Sequence, residues 1–161
     1  MAVLNIHERV IPATPEEVGA LVDGLAGPDD RLWPAARWPR MRLDAPLGPG
    51  AAGGHGPIRY TVVGHAPGQW VRFAFTAPRG FDGFHEFTVR AAPGGGTLLR
   101  HTLAMSARGP ARLSWPLAFR WLHDALLEDG LDQAQRAFGG TPATPARWSR
   151  YVRLLRALIH R

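Results

Sequence analysis

The spacing of apolar residues changes period several times along the chain, and those changes divide it into elements. Val3–Ile11 alternates every second residue, with Leu4, Ile6, Glu8 and Val10 on one face, and reads as a first strand. Thr14-Pro15-Glu16-Glu17 has the form of a capping box with proline at the first helical position. It opens a helix carrying Val18, Leu21, Val22 and Leu25, which stops at Gly27-Pro28. Arg31–Arg40 is aromatic and broken by proline, so no more than a short helical turn fits there. Eight of the twelve residues from Pro46 to Pro57 are glycine or proline, the composition of a mobile loop.

Period-2 alternation then returns four times. Ile58–His65 puts Ile58, Tyr60 and Val62 on one face, and Pro67-Gly68 turns the chain into Trp70–Thr76 with Val71, Phe73 and Phe75 together. Gly83–Ala91 aligns His85, Phe87 and Val89; a Pro93–Gly96 hairpin loop leads to Thr97–Ala107, which aligns Leu99, His101, Leu103 and Met105. The period lengthens to that of a helix over Leu113–Phe138, with Ser114 as N-cap, Pro116 in the first turn and Gly139-Gly140 at the end. One stripe holds Ala118, Phe119, Leu122, Ala125 and Leu126, and a second holds Leu127, Leu131, Ala134 and Phe138. Their meeting near Gly130 predicts a bend there, or burial on two sides. Asp129 continues the first stripe and should face inward, where a carboxylate needs a partner or a path to solvent. Strands segregated from helices in this order predict an α+β fold, with a long C-terminal helix closing an antiparallel sheet.

Pro145–Arg161 reads as a last, basic amphipathic helix. Trp148, Tyr151, Val152, Leu155, Leu158 and Ile159 form one stripe; Arg147, Arg150, Arg153 and Arg156 form another. Such a helix packs on the body, on a second subunit or on a membrane surface, and the clean apolar stripe favours packing. The chain thus divides into a body over 1–139 and a tail over 140–161.

Composition narrows the classes. The 161 residues suffice for one domain with a real core, and the absence of cysteine excludes disulfides and thiolate metal sites. There is no long apolar run and no signal-like N-terminus, so a soluble cytoplasmic protein is expected. The net charge of +6 comes entirely from arginine, and five of the 19 arginines but none of the 13 acids follow residue 139. The body is therefore close to neutral. No basic stripe crosses it, and nucleic acid is not an expected partner.

Four stretches carry a resemblance: HERVIPATPEEV at 7–18, GGHGPIRYTVVGHAPG at 53–68, GFHEFTVRAAPGGGTLLRHTL at 83–103 and LHDALLEDGLDQA at 122–134. Together with the element order, they make residues 3–138 similar to the START-like or Bet v 1-like (SRPBCC) superfamily, in its polyketide cyclase/dehydrase and lipid-transport branch. The resemblance implies a helix-grip fold, a curved antiparallel sheet wrapped around the last long helix with a cavity between them. It implies no universal catalytic motif, because members bind or transform very different ligands.

The candidate chemistry lies on the faces expected to line that cavity. Tyr60, Phe73, Phe75, Phe87, Leu103 and Met105 from the strands, with Leu122 and Leu126 from the helix, are the expected ligand-binding wall. Trp33, Trp38, Arg37 and His55 are placed at its mouth, where Arg37 would meet an acidic headgroup; alternatively the two tryptophans close the end of the core. His85 and His101 are in phase with large apolar residues on the two strands of one hairpin, which brings them within about 8 Å. Glu8, in phase with Leu4 and Ile6, is expected beside His101. Two imidazoles and a carboxylate in an apolar pocket suit general acid–base chemistry such as enolisation, aldol closure or dehydration. Interior histidines are also satisfied by backbone or neighbours without catalysis. His123, Asp124, Glu128 and Asp129 do not have the i, i+4 histidine spacing of a helical metal site, and neither metal nor cofactor is expected. Three functions follow: a carrier of a hydrophobic small molecule, a cyclase or dehydratase, and a module docking its tail to a membrane or partner, with a dimer compatible with any of them.

Overall fold

In the computed structural model, which describes residues 1–159, seven strands form one antiparallel sheet in the order β1-β7-β6-β5-β4-β3-β2. They are β1 (Ala2–Ile11), β2 (Arg42–Leu43), β3 (Ala52–His55), β4 (Ile58–Ala66), β5 (Trp70–Ala77), β6 (Phe81–Ala91) and β7 (Thr97–Ala107). Helix α1 (Pro15–Asp23) joins β1 to the rest, and its predicted capping box forms, Thr14 and Glu17 each satisfying the other's backbone N–H. Register shifts in β4 mark bulges, which bend the sheet. The concave face holds Tyr60, Val62, Phe73, Leu99 and Leu103, each at most 2% exposed.

The C-terminal helical run lies against that face. It begins earlier than predicted, as α2 (Ala111–Ser114), a π turn (Trp115–Phe119) and α3 (Arg120–Ala137). Ser114 is inside it and caps nothing. The irregularity sits at Pro116 instead of Gly130. Proline has no N–H to give the ladder, and the next turn widens until the Arg120 N–H reaches the Trp115 carbonyl. Gly130 lies in the regular part of α3, facing the Leu32 carbonyl, and a Cβ there would make only an ordinary contact at 3.4 Å. The aromatic segment 31–40 is irregular, as predicted, and presses on the helix at that point.

Two other expectations are corrected. The glycine-rich stretch 46–57 is not a free loop, because it contains β3, paired on both sides with β2 and β4. Its glycines permit this, since a Cβ on Gly54 would lie 1.9 Å from the Ile58 carbonyl oxygen. The face of β1 is also reversed. Leu4, Ile6 and Val10 are 69%, 46% and 50% exposed. Val3, Asn5, His7, Arg9 and Ile11 point inward.

The reason lies on α3, whose Asp124, Glu128 and Asp132 fall four residues apart and face β1. Asn5 donates to Asp124 at 2.9 Å, His7 bonds Glu128 at 2.7 Å, and Arg9 reaches Glu128 and Asp132, each at 2.8 Å. A polar strand face is buried because an acidic helix face receives it.

The tail helix α4 (Arg150–Ile159) starts five residues later than predicted, after an irregular segment. It packs on the body. Val152 is 4% exposed, the Tyr151 hydroxyl donates to the Leu117 carbonyl, and the Trp148 indole N–H donates to Asp129 at 2.8 Å. The side chain of Ile159 and residue Arg161 lie outside the described residues. No described helix is long and apolar enough to cross a membrane.

Candidate functional site

Between the concave sheet face and the helix lies a cavity of about 110 Å³. Strand β6 contributes His85 and Phe87, and β7 contributes His101 and Leu103. The helical run supplies Trp115, Phe119, Leu122, His123, Leu126 and Leu127. Trp33, Trp38 and His55 close one end, and Arg156 reaches in from the tail. Of the residues predicted to line it, Phe75, Phe87, Leu103, Leu122, Leu126, Trp33 and His55 do. Tyr60 and Phe73 stand behind the wall instead, covered by His85, which Tyr60 meets edge-on and Phe73 stacks on flat, both at 4.9 Å between centroids; Met105 is buried in the core but does not line the cavity.

The predicted meeting of His85 and His101 is present, and closer than strand spacing alone required. Phe87 pairs with His101 and Leu103 with His85, so the two histidines are diagonal. Their rings turn toward each other until His85 Nδ1 and His101 Nε2 are 3.2 Å apart. The outer nitrogens, His85 Nε2 and His101 Nδ1, are buried with no partner among the described residues. Desolvation, with lesser repulsion from neighbouring imidazoles, drives both pKa values well below the usual histidine range. Both rings are neutral at pH 7. Whichever donates in the shared bond, one outer nitrogen is then left a donor and the other an acceptor. His55, hydrogen-bonded through Nδ1 to Tyr60 at 3.1 Å, is likewise lowered by burial, to about 3, and burial pushes the Tyr60 phenol up.

Glu8 does not join them. It lies on the outer face, where Arg100 Nε donates to it at 2.7 Å. The carboxylates nearest the histidines come from the helix. His123, on the cavity wall, stands 5.0 Å from His101 and 5.9 Å from His7 between ring centroids. Burial alone lowers the His7 pKa, but the hydrogen bonds its ring donates to Asp124 and Glu128, with their negative charge, outweigh it and raise it to about 9. His7, His123 and Asp124 bring ligand-type atoms within 4.8 Å of one another. A metal could enter only by displacing the proton that lets His7 bridge two acids, and the ion pairs account for the geometry without it. The sequence reading did not consider His7, and it weighed His123 only as a metal ligand and not as part of the cavity wall. His7 shares a strand face with Asn5 and Arg9, and that inward polar set becomes recognisable only beside the acids at 124, 128 and 132.

Arg37 does not reach the cavity either. It donates to Asp129 at 2.7 Å, and Asp129, 4% exposed, also accepts from the Trp38 and Trp148 indoles, each at 2.8 Å. The inward carboxylate expected from the helical stripe is thus fully partnered. Trp33 donates to the Pro39 carbonyl at 2.9 Å and packs on His55, so it both lines the cavity and closes its end.

No family model matches the chain, and neither does any curated protein sequence. Solved structures do share its shape. CalU16 from Micromonospora echinospora is 16% identical, with 99% of this chain and 89% of that one covered and a TM-score of 0.57. DynU16, described as a protein of the dynemicin biosynthetic locus, is 18% identical over 90% of this chain and 49% of that one, with a TM-score of 0.55. Ara h 8.0201 is 12% identical over 86% of this chain and 98% of that one, with a TM-score of 0.58. At such identities the likeness speaks to architecture alone. An antiparallel sheet of seven strands closed by a long C-terminal helix over an internal cavity makes this chain, by fold, a helix-grip protein.

Proposed function

We propose that the protein binds a small apolar molecule in the cavity between sheet and helix. The observation that carries this reading is the cavity itself: a space of about 110 Å³ left unfilled inside an otherwise close-packed core, walled mainly by aromatic and aliphatic side chains. Natural interiors leave few voids of this size, and each forfeits contacts that a better-filled core would make. An engineered dry cavity of about 150 Å³ accepts benzene, which sets the scale at a body of one ring or a short chain. Native mass spectrometry of protein from its own host tests the reading. A co-purified small molecule is expected, and its absence in a Leu126→Trp variant, which fills the space, should follow. Protein that arrives empty from its host, or a variant carrying the same cargo, contradicts it.

A second reading, acid–base catalysis of the cyclase or dehydratase kind, has one specific observation in its favour. The His85–His101 pair can accept a proton at one outer nitrogen and release another at the other without either ring becoming charged, which suits an apolar site. A substrate with a carbonyl and a hydroxyl would satisfy both nitrogens. Replacing both histidines by alanine separates the readings: a carrier keeps its cargo, whereas an enzyme loses turnover of a candidate β-hydroxyketone. Unchanged turnover in the double variant removes the catalytic reading.

A further inference from the structure

The tail places a cation at the cavity that pairs with no carboxylate among the described residues. Ser149 Oγ accepts from the Val152 N–H at 3.2 Å at the start of α4, and burial of Val152 fixes which side of the helix faces the body. Arg156, one turn further on, is thereby aimed between two indoles, its guanidinium 4.4 Å from the Trp38 ring centre and 3.9 Å from that of Trp148. Arginine between two aromatic faces is held in place by cation–π attraction, yet those faces leave its in-plane N–H groups unsatisfied. Its Nη1 is buried with no hydrogen-bond partner among the described residues. The nearby carboxylate, Asp129, is already engaged by Arg37 and by both indole N–H groups. Arg156 is also part of the cavity wall. A guanidinium oriented between two rings, half-buried, with one nitrogen buried and unpaired among the described residues, stands beside an apolar space as half of an ion pair.

We propose that Arg156 is the recognition group for a carboxylate on the ligand, so that the molecule bound is an apolar body ending in an acid. This rests on the cavity-binding reading above and refines it. The apolar part occupies the space among Phe87, Leu103, Leu122 and Leu126, and the carboxylate points toward the tail helix. A planar two-oxygen anion matches the fork of the guanidinium, and excluding water from the pair strengthens the bond. In this proposal Arg156 takes the headgroup role that the sequence reading expected of Arg37.

Two probes of one shape test it, 4-ethylbenzoate and 4-ethylbenzyl alcohol, titrated calorimetrically at pH 7 into the full-length protein. The acid should bind about tenfold or more tightly than the alcohol, the usual scale for one hydrogen bond to a charged group. Arg156→Leu should bring that ratio to about one, and Arg156→Lys should retain part of it. The ratio is read within each protein, so a general loss of affinity in a variant does not disturb it. Equal affinities in the unmodified protein, or a preference that survives Arg156→Leu, would overturn the carboxylate assignment and leave the cavity reading standing. If neither probe binds, the cavity reading falls and takes this one with it.

Discussion

His85 and His101 share a hydrogen bond inside a largely hydrocarbon wall, and this sets how the protein answers to acid. Their folded pKa values are depressed by burial, as are those of His55, at about 3, and His123. Such groups contribute stability above the unfolded value near 6.5 and lose it as pH falls toward the folded value. At pH 5 a histidine held near 3 costs roughly 2 kcal/mol relative to pH 7. His7 has the opposite sign: raised to about 9, it stabilises fully below 6.5 and ceases to as pH climbs through 9. Thermal unfolding followed from pH 4 to 10 should therefore peak near neutrality and fall on both sides, more steeply in acid; a midpoint that rises below pH 6 contradicts the buried neutral histidines. Asp129 shows what the residue scale allowed to be read beforehand. Its place in the helical stripe indicated that it faces inward, but the three donors come from residues 37, 38 and 148, and spacing along one helix carries no information about them. Asp129→Asn should cost about 2–3 kcal/mol in urea unfolding, because an amide cannot accept all three hydrogen bonds.

At the scale of elements, strands β4 to β7 were legible because one face of each is apolar and the other polar. Strand β1 was misread for a physical reason. Its apolar residues Leu4, Ile6 and Val10 are exposed, and its polar ones are buried against the acids of α3. Alternation identifies two faces, whereas the identity of the inner one depends on what packs there. The same contrast predicts energies. Arg9→Ala removes the shorter of the two guanidinium contacts of Asp132, 2% exposed at its side chain, leaving the longer one from Arg136 at 3.3 Å, and should cost about 2–3 kcal/mol. Glu8→Ala breaks an ion pair whose side chains are 39% and 46% exposed, and should cost no more than about 1 kcal/mol. Chemical denaturation of the two variants checks the order, and equal losses would return Glu8 to the interior. The glycine-rich stretch was opaque in a different way: composition marks it as irregular, and only the close backbone approach at Gly54 explains why it pairs as a strand instead.

For the whole molecule, element order indicated an α+β fold with a long helix closing an antiparallel sheet, and the helix-grip architecture was what the resemblance of the four quoted stretches implied. The size of the cavity was not readable, because it depends on rotamers such as those that bury Tyr60 and Phe73 behind His85. At about 110 Å³ it is smaller than the roughly 300–1,000 Å³ of drug-sized sites, which favours a compact ligand over an extended polyketide chain. Filling it should hold or raise stability while removing function. Leu122→Phe is expected to keep the unfolding midpoint and weaken binding of a one-ring probe at least about tenfold, and undiminished binding would place the probe elsewhere. The most direct measurement is a titration of the ¹⁵N- and methyl-labelled protein with 4-ethylbenzyl alcohol followed by NMR. The account predicts saturable shifts concentrated at Phe87, Leu103, Leu122 and Leu126. Shifts confined to the exposed face at Leu4, Ile6 and Val10, or none at all, would contradict it.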